Sequence, residues 1–130
     1  MVEQKWTQFG QVDSARQYLA FAENGERKSV LAFFKFMNRA RKMQKQMASA
    51  KGFIGFRGKL GFLGKDVLMV AVFEDEATLN EFAHTGQHAA CLAETKSDLK
   101  DGMKYAKWTI TGSNVPPTLD DALNRIKNEK

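Results

Sequence analysis

An α+β domain built on one antiparallel sheet is predicted by three observations. Val67–Phe73, VLMVAVF, is short, apolar on both faces and rich in β-branched and aromatic residues, as a central strand is. Three other short segments, Arg16–Ala22, Phe53–Leu60 and Met103–Thr111, carry strand-like patterns. Between the first two lies a long stretch of helical period: Val30, Phe34, Met37, Ala40, Met43, Met47 and Ala50 form one apolar stripe.

In chain order, Met1–Ser14 is a polar arm with Trp6 and Phe9 and no clear period. The first strand places Tyr18, Ala20 and Ala22 on one face, with Asn24 following if the strand reaches it, and Leu19 and Phe21 on the other. Glu23–Glu26 reads as its end. Ser29 is positioned to cap the long helix, with Lys35, Arg39, Arg41, Lys42 and Lys45 off its stripe and Gly52 placed to stop it. Glycines recur every third residue from Gly52 to Gly64, but no proline accompanies them, so turn and bulge glycines explain the pattern better than a collagen repeat.

Asp75 is a cap for a short helix whose buried side is Leu79, Phe82 and Ala83. Thr85-Gly86 interrupts it, and a second helix follows from His88 to about Lys100. The last strand puts Ala106, Trp108 and Ile110 on one face. Gly112–Pro117 is a linker, and Thr118 heads a short amphipathic helix bearing Leu119, Ala122, Leu123 and Ile126. The division is residues 1–15 as N-terminal arm, 16–112 as the domain, and 113–130 as linker and C-terminal helix. The order strand, helix, strand, strand, helices, strand is the ferredoxin-like βαββαβ plan with helices on one face. Val67–Phe73 then needs cover on the other face, and a second copy of the chain is the economical supplier.

Composition narrows the function classes. The chain has 130 residues, a net charge of +5 and one cysteine, Cys91, so it can form no intrachain disulfide and a reducing, cytoplasmic setting is expected. No apolar run reaches the roughly eighteen residues of a membrane helix. The N-terminus lacks the apolar core of a signal peptide. A moderately basic charge permits an anionic or nucleic-acid partner without requiring one.

Ala50–Phe53, Val70–Ala77 and Glu81–His88 together resemble the dimeric α/β-barrel superfamily, within it the antibiotic-biosynthesis-monooxygenase type, over roughly Arg16–Gly112. The resemblance implies a homodimer joined sheet to sheet, a pocket between sheet and helices, and oxidation of aromatic or quinol-type substrates without a cofactor. The substrate anion itself reduces dioxygen, so the protein need only bind it, lower its pKa and stabilise the anion. His84 and His88 are the candidate catalytic residues, and Tyr18, Asn24 and Trp108 the candidate contacts to a small apolar or aromatic ligand. No cofactor or metal is assigned. Glu81, His84, His88 and Cys91 would share a face on an unbroken helix, as metal ligands do, but Thr85-Gly86 breaks the spacing.

Three alternatives stand beside this reading. One is a non-catalytic dimeric binding or stress-response protein. Another is RNA binding, suggested by Lys51–Phe56, KGFIGF, and the shared strand order; that aromatic motif belongs on the third strand, whereas here it opens the second. The third is haem binding or degradation. Ala22-Glu23-Asn24 matches the asparagine segment of the haem-degrading branch, but Phe82 stands at its tryptophan position and Leu92 near its histidine, with His88 a turn earlier. Haem degradation is therefore not expected: titration with haem and a reductant should leave any Soret band intact, and its loss during turnover would show the opposite.

Overall fold

A computed structural model describes residues 2–26, 38, 42, 45–46, 50–60, 66–84 and 104–128. Its strands are β1 (Val2–Gln8), β2 (Gln17–Glu26), β3 (Phe53–Leu60), β4 (Asp66–Phe73) and β5 (Lys104–Thr111), and its helices α1 (Glu76–His84) and α2 (Leu119–Asn128), with a 3-10 turn at Gly112–Asn114. The strands form one antiparallel sheet in the order β1-β3-β4-β2-β5. β2 to β5 follow the predicted plan. Asn38, Lys42, Lys45 and Gln46 are helical, as the Val30–Ala50 stripe requires. Most of that helix, residues 61–65, the predicted interruption at Thr85-Gly86 and the predicted helix from His88 to about Lys100 lie outside the described residues.

Two strands differ from the sequence reading. The arm is not structureless: β1 pairs with β3 as the edge strand. Its period is invisible in the sequence because the register shifts between Gln4 and Thr7, so alternation breaks in mid-strand. β2 runs four residues past Ala22, through Glu23–Glu26. There β4 pairs across the whole extension, from Glu23–Met69 to Glu26–Asp66, and β5 supplies Tyr105 and Lys104 opposite Glu23 and Asn24. Ladder bonds from two neighbours override the low strand preference of Asn24 and Gly25.

Each face of the sheet has its own core. On the first, Phe53, Phe56, Ala71 and Phe73 pack with Leu79 and Phe82 of α1. The Phe53 and Phe73 rings meet nearly edge-on, 5.1 Å apart, and Phe82 lies 5.4 Å from Phe53. Such geometry adds about 0.5–1.5 kcal/mol per pair to area burial. On the second face, Ala22, Leu68, Val70 and Ala106 pack with Ala122 and Ile126 of α2. Tyr18, Ala20, Ile54, Val72 and Ile110 continue this core toward Trp6, Val12 and Val115. α1 thus lies on the helical face as predicted, whereas cover for the second face comes from the chain's own tail. The Thr118 hydroxyl accepts a hydrogen bond from the Asp121 N–H (3.0 Å), capping α2 as its sequence implies.

The glycine pattern also resolves physically. Gly55 opposes Val72 beside a register irregularity in β3, and a Cβ there would lie 2.5 Å from the Trp6 ring. It is a bulge-side glycine that admits an aromatic ring from β1.

Ala22 has no exposed surface and sits in the core shared with α2. Ala22→Phe should therefore cost about 1–3 kcal/mol of unfolding free energy through overpacking. Urea denaturation measures this; an unchanged midpoint would mean that the site holds unfilled space.

Candidate functional site

The strands end where β2 and β3 begin and β4 stops, and there the Gly10–Arg16 loop crosses the sheet. Phe9 N–H and Gly10 N–H both donate to the Ile54 carbonyl (2.8 and 3.0 Å), bringing the chain off β1. Asp13 N–H donates to the Tyr18 hydroxyl (2.8 Å), and the Asp13 carboxylate accepts from Ala15 N–H (2.9 Å). Gly112 N–H donates to the Arg16 carbonyl (2.8 Å), which ties the loop to the end of β5. The loop is thus fixed by backbone bonds and by one phenol.

Beneath it opens a cleft of about 390 Å³. Tyr18, Phe53 and Ile54 give it an apolar floor, and Asp13, Arg16 and Glu74 give it charged walls. Arg16 Nη1 lies 3.7 Å from Glu74 Oε1, with both side chains more than a third exposed. The same guanidinium lies 5.2 Å from the Tyr18 ring centroid. The ion pair is long and solvated, so it is worth at most about 1 kcal/mol. A bound anion could take over this guanidinium at small cost.

Gly52 closes the cleft on the side of α1. Its φ of +81° is left-handed, and an added Cβ would come within 2.6 Å of the Thr78 methyl. Its carbonyl accepts from Glu74 N–H (2.8 Å). Asp75 then caps α1, accepting from both the N–H and the hydroxyl of Thr78 (2.8 Å each).

The predicted site residues that the structure describes stand at different places along the sheet and α1. Tyr18 and Asn24 share a face of β2 but stand six residues apart, roughly 20 Å along an extended strand. Only Tyr18 lines the cleft. It is 4% exposed, and its oxygen already accepts from Asp13 N–H, so it is first a loop anchor. Trp108 lies opposite Ala20 on the same face, with the Arg125 guanidinium 4.7 Å above its ring. His84 ends α1, on the other face and at the far end of a nine-residue helix, about 12 Å from its start beside the cleft. His88, like Cys91, lies outside the described residues. Sequence reasoning missed Asp13, Arg16 and Glu74 as cleft residues. Glu74 had a weak signal, standing in the acidic turn after β4; the loop residues had none.

The double hydrogen bond from Thr78, first its backbone N–H and then its hydroxyl, holds the Asp75 carboxyl below its ordinary pKa, helped by Arg16. A depressed carboxylate pKa stabilises the fold above the unfolded-state value, and that contribution is lost as pH falls through the folded-state value. Asp75→Asn should therefore flatten the acid side of the stability profile and change the shape at neutral pH far less. Thermal melts from pH 2 to 7 follow this; identical acid limbs in both proteins would exclude Asp75 as a contributor.

No protein-family model matches the sequence, and no curated protein does. Solved structures do match. One is described as an antibiotic biosynthesis monooxygenase, with 10% identity, a TM-score of 0.62, and coverage of 69% of this chain and 95% of its own. Another is a dimeric ferredoxin-like protein of unknown function from Jannaschia sp. CCS1, with 15% identity, a TM-score of 0.62, and coverage of 70% and 97%. A third is a conserved protein from Methanosarcina mazei Go1, with 14% identity, a TM-score of 0.61, and coverage of 73% and 93%. The chain therefore has the ferredoxin-like α+β fold of antibiotic-biosynthesis-monooxygenase-like proteins, at identities where the likeness speaks for the fold alone.

Proposed function

We propose that this chain binds a small apolar or aromatic ligand carrying an anionic group, in the cleft beneath the Gly10–Arg16 loop. The observation that carries the reading is the cleft itself: about 390 Å³, an aromatic floor, and one guanidinium held by a long, solvated ion pair and a contact over the Tyr18 ring. That volume falls within the range of small-molecule sites. A phenolate, quinolate or aromatic carboxylate would stack on the floor and draw Arg16 from Glu74.

The finer reading is cofactor-independent oxidation of a quinol-type substrate, favoured by the neighbour described as an antibiotic biosynthesis monooxygenase. In it the bound anion is the electron donor to dioxygen, and Arg16 favours the anion. His84 and His88 are its proposed proton acceptors and Trp108 a proposed further contact; Asn24, roughly 20 Å along β2 from Tyr18, lies out of reach of this cleft. The reading includes a homodimer, as in the neighbour described as dimeric. No helix among the described residues is long and apolar enough to cross a membrane.

Fluorescence titration with 2-naphthoate should show saturable binding, weakened about tenfold in Arg16→Ala by loss of one charge-assisted bond. Circular dichroism of the variant controls for folding. Absence of saturable binding, or equal affinity in the variant, overturns the cleft assignment. Oxygen uptake with naphthoquinols, abolished in His84→Ala/His88→Ala, would support the oxidative reading; binding without uptake would favour a non-catalytic binding protein.

A further inference from the structure

The Tyr18 hydroxyl is only half used. Its oxygen accepts from Asp13 N–H (2.8 Å), and among the described residues nothing accepts its own proton. Tyr18 is 4% exposed, its ring packed with Ala20, Ile54, Val72 and Ile110. A hydroxyl is a donor as well as an acceptor, and buried polar groups are nearly always paired. Those core neighbours are apolar side chains and offer the proton no partner. The cleft is the remaining direction, and Tyr18 lines it. Arg16 lines it too, with its guanidinium 5.2 Å from the Tyr18 ring centroid. The backbone joins the two groups as well. Asp13–Arg16 is a closed turn, in which Arg16 N–H donates to the Asp13 carbonyl (3.1 Å) and Ala15 N–H to the Asp13 carboxylate (2.9 Å). The N–H that Tyr18 holds and the guanidinium beside the cleft therefore belong to one turn.

We propose that the Tyr18 hydroxyl is a relay between ligand and loop: it accepts from Asp13 N–H and donates its proton to an oxygen of the bound ligand, which Arg16 holds from its other side. The relay rests on the cleft reading above and narrows the ligand class to aromatic molecules with an oxyanion attached to the ring. The apolar floor cannot make that choice, because apolar contact is non-directional. A ligand without an acceptor oxygen leaves the phenol proton unpaired, and a site built to hydrogen-bond rejects such an analogue. The arrangement also couples the ligand to the loop. Hydrogen bonds in series polarise one another, so a hydroxyl that already accepts is a stronger donor. Coupling is reciprocal: a ligand that takes the proton strengthens the hold of Tyr18 on Asp13 N–H. It thereby steadies the turn from which Arg16 reaches the same ligand.

Fluorescence titration of the wild type and Tyr18→Phe with 2-naphthoate and with naphthalene tests the relay. The rings are the same and only the oxyanion differs. Tyr18→Phe should weaken 2-naphthoate about tenfold and naphthalene by no more than about twofold. Equal weakening of both probes would mean that Tyr18 acts only as a loop anchor; the relay then falls while the cleft reading stands. No saturable binding of 2-naphthoate to the wild type would remove both. Amide exchange followed by NMR on the wild type is a second measurement that needs no variant. Saturating 2-naphthoate should slow exchange at Asp13 N–H severalfold, and naphthalene at equal occupancy should leave it unchanged. Asp13 exchange that is indifferent to 2-naphthoate overturns the relay, even where Tyr18→Phe fails to fold.

Discussion

Strand β4 is buried on both faces, and this constrains the rest of the structure. Val70 and Val72 have no exposed surface on one side, and Phe73 and Ala71 are nearly as buried on the other. Each large apolar side chain so buried contributes about 1.5–3 kcal/mol relative to exposure. A sheet holding such a strand must sit between two layers. β4 is therefore flanked by β2 and β3, and every described layer packs against it or its neighbours. α1 supplies one layer with Leu79 and Phe82. α2, the Val12 loop and the Trp6 ring supply the other.

The cleft is a consequence of how these layers end. Extended strands stop at Phe73 and begin at Gln17 and Phe53, and the chain must turn back over the open end. The turn that covers it is pinned through Tyr18, whose ring belongs to the core while its hydroxyl reaches the loop. The same turn brings Arg16 and Glu74 together above an apolar floor. Burial, loop geometry and charge thus meet at one spot without any single motif specifying it. A loop with a rigid strand beneath it is a common location for binding sites.

The fold is shared with proteins of several descriptions at 9–15% identity, and a shared fold does not transmit chemistry. Most of the solved structures match nearly their own whole length but only part of this chain. β1 extends the edge of the sheet and α2 closes its second face. Lys107 reaches Glu76 at 2.6 Å on the α1 side, whereas Arg125 covers Trp108 on the α2 side, so polar side chains seal both layers at the β5 edge.

Local patterns determined much of this architecture. The alternation of β2 and β5, the Asp75 and Thr118 caps, and the two-sided apolar run of Val67–Phe73 are all properties of neighbouring residues, and each was legible in the sequence. Tertiary contact decided the rest. β1 forms because β3 offers an unpaired edge, and β2 extends through Asn24 because β4 and β5 both pair with it; neither fact is written in the segment itself. The amphipathic pattern of Leu119–Asn128 announces a buried face without naming what buries it. Only the folded sheet, with Ala22 and Ala106 flat beneath it, decides that the partner is the same chain. The candidate site was the least legible part. Tyr18 was found because it alternates with core alanines. Its companions Asp13, Arg16 and Glu74 come from two separate loops, and residues that meet only across a sheet end leave no periodic trace in the sequence.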